Sequence, residues 1–261
     1  MRFIDIDLLN ERLPHLKNEF HSKEPFKYVI FEDFFPSEVA LEILNEYPKI
    51  DKGTWDGTTY LDQKNKFQKN TFDEHSAVSQ LFNELNSTEF LRWLEGVTEI
   101  ESKLIGDKDL FGGGLHQSTN GAFLNVHVDY NIHPKTKYHR RLNVLVYMNQ
   151  DWKDNYNGHL ELWDLTNGNK KLLERVSPKF NRCVIFETNE ISFHGHPSPL
   201  NTPAEICRKS IATYYYTKTR PNKEVAEEHN TIYVNTEGAK GKLKRFNSGV
   251  KAALERINRT K

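Results

Sequence analysis

The run Gly112-Gly113-Gly114 divides the chain into two textures, and that change limits the available architectures more than any other feature. Before the glycines, apolar residues recur at helical spacing. FFPSEVALEILNEYP carries Pro36 and Ser37 at a helix start with Val39, Ile43 and Leu44 spaced along one side. SAVSQLFNELNSTEFLRWLEGVTEI holds two more helical patterns, the second capped near Ser87, with Phe90, Leu91, Leu94 and Val97 on one face. KYVIF (27–31) reads as a short strand, and residues 51–74 read as polar and irregular. After the glycines come short β-rich runs parted by Asn, Gly, Pro and Lys, at 122–129, 142–148, 159–163, 182–187 and 208–217. Helices followed by several short strands predict a sandwich or barrel with helices packed outside it.

Composition narrows the function. With 261 residues, 37% of them hydrophobic, the chain can bury a real core, and a single domain is expected. Its parts read as a mainly helical 1–105, a strand-rich 106–222 and a basic extension at 223–261. Thirty-six Lys plus Arg balance thirty-six Asp plus Glu, so overall charge favours neither nucleic acid nor an anionic membrane. Cys183 and Cys207 are too few for a disulfide framework; they read as buried small hydrophobes in a reducing compartment. No stretch reaches the roughly 18 apolar residues that span a bilayer, and the opening residues lack a signal-like apolar run, so a soluble, cytoplasmic protein without a membrane partner is expected. Residues 237–261 hold eight Lys or Arg against two acids, with Val250, Ala253, Leu254 and Ile257 as an amphipathic stripe.

The sharpest motif is His127-Val128-Asp129. On a strand, positions i and i+2 share a face, so His127 and Asp129 project together while Leu124, Val126 and Val128 face the other way. Sixty-five residues after Asp129, ISFHGHPSP offers His194 or His196 as a third ligand. Two imidazoles and one carboxylate on one face of an octahedron leave open positions, the facial triad of non-haem Fe(II) oxygenases. Fourteen residues after His194, Arg208 and Ser210 share a face of the strand RKSIATYYYT, where a guanidinium beside a hydroxyl suits a buried carboxylate. Tyr147 lies on the same face of its strand as Asn143 and Leu145 and could add a phenolic donor.

At these residues the chain resembles a known family. HVDYN, LVYMNQDW, NGHLELWD, FHGHPSP and RKSIATYYYT look like the 2-oxoglutarate and Fe(II)-dependent oxygenase superfamily, in particular its prolyl 4-hydroxylase-like branch, over about residues 106–220. PFKYVIFEDFFPSEVALEIL is similar to the N-terminal strand and helix of bacterial members. The resemblance implies a double-stranded β-helix, or jelly roll, mainly β with N-terminal helices buttressing it. It implies His127, Asp129 and His194 as ligands of Fe(II), with His194 preferred to His196 because the family's metal histidine opens a turn that leads to proline. Arg208 would hold the distal carboxylate of 2-oxoglutarate, with Tyr147, Ser210 and Asn143 as further cofactor-binding residues. The retained Asp129 argues against the related halogenases.

A dioxygenase is therefore expected, using O2 with ascorbate in support. It would hydroxylate an aliphatic C–H of a prolyl residue or a related amino acid or small molecule, releasing succinate and CO2. Nucleic acid is not an expected partner, since no basic and aromatic stripe lies near the iron motif. Tyr130, His116, Gln117, His139, Arg140 and Trp163 are candidates for the mouth, and the 51–74 segment and the basic tail are candidate substrate-facing parts. Two rivals use the same residues differently: a jelly-roll binding module without redox chemistry, and a zinc-dependent hydrolase on the same ligands. The first would be marked by loss of a ligand or of the Arg anchor, and all four positions are filled here; the second gives the Arg208–Ser210 strand no evident task.

Overall fold

A computed structural model describes residues 2–51, 53–238, 241, 242 and 244. The first part of the chain runs α1 (Ile6–Ser22), β1 (Tyr28–Phe31), α2 (Ser37–Asn45), β2 (Asp56–Tyr60), β3 (Gln63–Lys69), α3 (Ala77–Leu85), α4 (Thr88–Thr98) and β4 (Ile105–Gly106). The strand-rich part runs β5 (Gly114–Val128), β6 (His139–Tyr147), β7 (Leu160–Asp164), β8 (Lys171–Val176), β9 (Arg182–Glu187), β10 (Phe193–His196), β11 (Arg208–Thr217) and β12 (Ile232–Tyr233). The fold is mainly β with flanking helices. Its strands form a curled antiparallel sheet in the order β1-β9-β6-β11-β5-β10-β7-β8, a jelly-roll core.

Helix starts follow local chemistry. Asp5 accepts from the Leu8 amide, Ser76 from Ser79 and Ser87 from Phe90, each meeting an amide that the first turn leaves unpaired. Phe90, Leu94 and Val97 are buried, as their spacing predicts, together with Trp93, whose indole donates to the Leu9 carbonyl and ties α4 to α1. The helices cover one face of the sheet. Their Leu16, Phe20, Ile43, Leu81 and Phe90 share a cluster with Val144, Val146, Cys183, Ile185 and Ile211 from the strands. On the other face, Tyr147, Leu160, Leu162, Val184 and Phe186 fill the space between the two curled halves. Each aliphatic side chain so buried is worth about 1.5–3 kcal/mol, which makes these clusters the main support of the curl.

The glycine run has a steric cause. Gly114 adopts φ +103°, and a Cβ there would lie 2.3 Å from the Lys69 carbonyl oxygen; one at Gly113 would lie 2.9 Å from that of Ala212. The start of β5 is wedged between β3 and β11, a slot that admits only glycine. From there β5 serves both halves of the core. Ser118 pairs with Arg208 of β11, whereas Leu124 and His127 pair with His196 and His194 of β10. Along its opposite edge, Ser118 and Leu124 meet β3, and His127 and Val128 meet β12.

Three expectations are corrected. The 51–74 segment is not irregular: it forms the β2–β3 hairpin, which pairs with β5. AFLNVHVD is only the end of a 15-residue strand. Leu124 does not face away from His127, because the register slips between His194 and His196 and Leu124 lines the same cavity as His127. Cys183 is buried and Cys207 half-buried, both free. The stripe at Val250–Ile257 lies outside the described residues. No helix among the described residues is long and apolar enough to cross a membrane.

Candidate active site

β5, β6, β10 and β11 enclose a cavity lined by His127, Asp129 and His194 at one end and by Lys66, His116, His196 and Arg208 at the other, with Leu124, Leu145 and Leu160 in its wall. The first end is made where β5 stops. His127 Nε2 lies 3.7 Å from Asp129 Oδ1, His194 Nε2 lies 3.5 Å from Asp129 Oδ2, and the two imidazole centroids are 4.4 Å apart. One ligand atom from each of the three residues falls within 4.8 Å of the others, a spacing that a single ion could bridge. His127 Nδ1 donates to the Asn125 carbonyl at 2.8 Å and His194 Nδ1 to the Ser192 carbonyl at 2.9 Å. With the proton on Nδ1, each Nε2 keeps its lone pair turned toward the carboxylate, the tautomer a metal requires. Burial, then the nearby His127, lowers His194 to about 4, so it is neutral at physiological pH.

Asp129 is held from behind. Asn143 Nδ2 donates to its Oδ2 at 2.7 Å and Arg140 approaches the same oxygen at 3.0 Å. Burial alone would raise the Asp129 carboxyl, but the Arg140 guanidinium and then the two imidazoles outweigh it and hold it well below the usual carboxylate range. Arg140 is 1% exposed and sits between aromatic faces, 3.6 Å from the Tyr214 centroid and 4.5 Å from that of Tyr130. It also donates twice to Asn143 Oδ1, so Asn143 is occupied with Asp129 and Arg140 while lining the cavity. Gly195 separates His194 from His196, and a Cβ there would lie 2.8 Å and 2.9 Å from the Asn125 and Leu124 carbonyl oxygens. Its bareness lets β10 approach β5 closely enough for the two metal-end imidazoles to meet.

At the far end, Arg208 opens β11 and is buried. Its Nε donates to the Gly158 carbonyl at 2.6 Å and its Nη2 to the Tyr147 hydroxyl at 3.2 Å, over whose ring the guanidinium lies. Ser210 lines the cavity one pleat further on. Tyr47 donates its hydroxyl to the His116 and Ser210 carbonyls at 2.9 Å and clamps β5 to β11 behind this end. His116 and His196 are both lowered well below ordinary histidine, first by burial, then by Lys66 and Arg208 respectively, and are neutral. Lys66 is partly buried; its enclosure, with Arg208 and Arg140 nearby and Asp129 opposing them, lowers it to about 8.

The structure thus brings His127, Asp129, His194, Arg208, Ser210 and Asn143 to one cavity, with Tyr147 behind Arg208. Of the mouth candidates, His116 lines the cavity. Arg140 is packed behind Asp129 with Tyr130, Gln117 donates to the Pro48 carbonyl, and Trp163 to Glu161, while His139 sits at the far end of β6. These were exposed-looking polar positions whose strand partners sequence spacing does not reveal. Lys66 is a cavity residue the motif reading missed. Its segment was singled out only as a substrate-facing loop, although the alternation Lys64, Lys66, Gln68 is a strand signal.

The two imidazoles and the carboxylate offer the mixed N and O donors and open face that ferrous iron takes, and a buried guanidinium across the cavity suits a dicarboxylate cosubstrate. Residues 113–216 match the family model described as the 2OG-Fe(II) oxygenase superfamily. The prolyl 3-hydroxylase OGFOD1 of Mus musculus is 24% identical over 226 residues, 80% of this chain but 38% of that protein, so the chain spans well under half the length of this curated relative. Among solved structures, a prolyl hydroxylase from Trichoplax adhaerens in complex with a hypoxia inducible factor peptide superposes with TM-score 0.54 at 17% identity, covering 81% of this chain and 90% of that one. HygX from Streptomyces hygroscopicus, with nickel, 2-oxoglutarate and hygromycin B bound, superposes with TM-score 0.51 at 14% identity, covering 84% and 96%. The strand-rich core that carries this cavity is thus similar to the 2OG-Fe(II) oxygenase superfamily over residues 113–216.

Proposed function

We propose that His127, Asp129 and His194 hold the iron, that Arg208 with Tyr147 and Ser210 holds the distal carboxylate of 2-oxoglutarate, and that the enzyme hydroxylates an aliphatic C–H. The substrate is a prolyl residue or a related amino acid or small molecule. The observation that carries this reading is the convergence of the three ligand atoms within 4.8 Å in the same cavity as the buried Arg208. Bound Fe(II) supplies O2 activation, coupling insertion of one oxygen atom into C–H to conversion of 2-oxoglutarate into succinate and CO2.

The protein's part is positioning. The Asn125 and Ser192 carbonyls fix the imidazole rings, and Arg140 with Asn143 fixes Asp129 through Oδ2, leaving Oδ1 directed toward His127. Arg208 is rigidified by Gly158 and by the Tyr147 ring before any ligand arrives, which lowers the entropic cost of binding a carboxylate. Leu124, Leu145 and Leu160 form the apolar part of the wall and limit the water that can reach the reacting carbon. The prolyl assignment draws on the relatives, named for proline hydroxylation or bound to a peptide, and HygX, which binds hygromycin B, keeps small molecules within the proposal.

Incubation with Fe(II), 2-oxoglutarate, ascorbate and labelled O2 in a cell extract, followed by mass spectrometry, tests the reading. Label is expected in prolyl peptides or amino-acid-like metabolites, with succinate formed in equal amount. Label confined to nucleosides, or no substrate-dependent succinate, would overturn it.

A further inference from the structure

Arg208 is not the only cation at its end of the cavity. Lys66 of β3 pairs across the sheet with Ser118 of β5, and Ser118 pairs on its other side with Arg208 of β11. Residues directly opposite in neighbouring strands share a face, with Cβ atoms about 5 Å apart. Lys66, Ser118 and Arg208 are therefore one cross-strand row, and all three line the cavity. Facing that row from β10 is His196, 4% exposed, whose Nδ1 meets no hydrogen-bond partner among the described residues. A buried imidazole nitrogen left unmet is costly, and structures that retain one commonly have a ligand or water for it. The His194 and His127 Nδ1 atoms, by contrast, are both satisfied by backbone carbonyls.

Charge points the same way. Among the described residues that line the cavity, Asp129 at the metal end is the single carboxylate, and Arg140 already opposes it through Oδ2. Arg208 and Lys66 bring two positive groups to the opposite end. An anion entering there meets one guanidinium, one ammonium, an imidazole and two hydroxyls, those of Ser118 and Ser210.

We infer that Lys66 and His196 are binding residues for the distal carboxylate of 2-oxoglutarate, closing on it from β3 and β10 while Arg208 holds it from β11. The inference rests on the reading of Arg208 as the cosubstrate anchor and adds two residues to it. Lys66 comes from the hairpin outside the core strands, so cosubstrate binding also fastens β3 onto β5. The carboxylate completes a row of charges that the strands have already aligned.

The test is direct binding of 2-oxoglutarate to full-length protein loaded with Mn(II), measured by calorimetry without turnover. It is run beside 2-oxopentanoate, which has the same five carbons and keto acid but no distal carboxylate. Lys66→Met is expected to weaken 2-oxoglutarate about tenfold or more, the scale of a lost charge-assisted hydrogen bond, and to leave 2-oxopentanoate within about twofold. Lys66→Arg should recover most of the loss, and His196→Leu should weaken 2-oxoglutarate alone by about three- to tenfold. Mn(II) affinity and far-ultraviolet circular dichroism of each variant report whether the fold and metal end survive. Equal weakening of both ligands, or of neither, would overturn the inference. Failure of the wild-type holoenzyme to bind 2-oxoglutarate at all would instead overturn the proposed function.

Discussion

The two ends of the cavity are built on opposite principles. At the metal end the polar atoms behind the ligand set have internal partners: both Nδ1 atoms are bonded to carbonyls and Asp129 is tied to Arg140 and Asn143. At the basic end Arg208 and Lys66 bring two positive groups to the lining, and one buried imidazole nitrogen has no partner among the described residues. A metal site gains from ligands fixed before the ion arrives, because reorganising them would cost affinity. An anion site gains from positive groups already aligned on its wall. The contrast gives permanence to one end and exchange to the other, in keeping with the proposed function.

Removing a metal-end ligand should break the comparison outright. Asp129→Ala and His194→Ala are expected to abolish metal-dependent succinate formation, whereas His196→Ala should retain bound Fe(II) in metal analysis. If His196→Ala loses the metal and His194→Ala keeps it, the two ends have been divided at the wrong histidine. Next in size is Arg208→Ala, which should weaken 2-oxoglutarate by about 2–3 kcal/mol, roughly 30- to 150-fold, with metal affinity unchanged. Unchanged 2-oxoglutarate affinity by calorimetry would move the anchor elsewhere.

Arg140→Met sharpens the contrast from behind. It removes one of the two partners of Asp129 Oδ2 without touching the ligand atoms, and should cost about 10- to 100-fold in Fe(II) affinity, with a smaller effect on 2-oxoglutarate measured at saturating metal. The reverse ranking would mean that Arg140 serves the cosubstrate.

The last effect concerns stability of the metal-free protein and leaves turnover aside. Lys66 is lowered from its ordinary 10.5 to about 8, chiefly by burial, so between those values the unfolded chain binds more protons and stability rises with pH. The penalty is fully present below pH 8. Lys66→Met should accordingly be the more stable form at pH 7, by up to about 3 kcal/mol, and lose that advantage as pH approaches 10.5. Urea unfolding at pH 7 and pH 10 checks this, and an advantage equal at both would show that the amine is not desolvated.

Legibility in the sequence divided along similar lines. His127, Asp129, Arg208 and Ser210 could be found because i, i+2 spacing on a strand survives folding, and resemblance to a family chose among the histidines. Leu124 was misplaced because alternation assumes an unbroken register, and β10 slips against β5 at that point. Lys66 went unseen as a cavity residue because polarity in DGTTYLDQKNKFQK looks like solvent exposure, whereas Lys66 lines a charged cavity. Arg140 and Arg141 are neighbours on β6, and nothing in the local pattern tells which of them Tyr130 and Tyr214 will enclose. Strand periodicity reports the face of a residue; which residues meet across the curl depends on contacts between β3, β5, β10 and β11.

Gly195 carries a consequence for reading related sequences. Because a methyl group there would press on two carbonyls of β5, the separation of the two strands is gauged by an absent side chain rather than by any ligand. A descendant could keep His127, Asp129, His194 and Arg208 and still be catalytically silent through a single substitution at this position. Inventories that score such enzymes as active from their ligands alone would count it among the living, and the bare residue between the histidines is the place to look first for a pseudoenzyme.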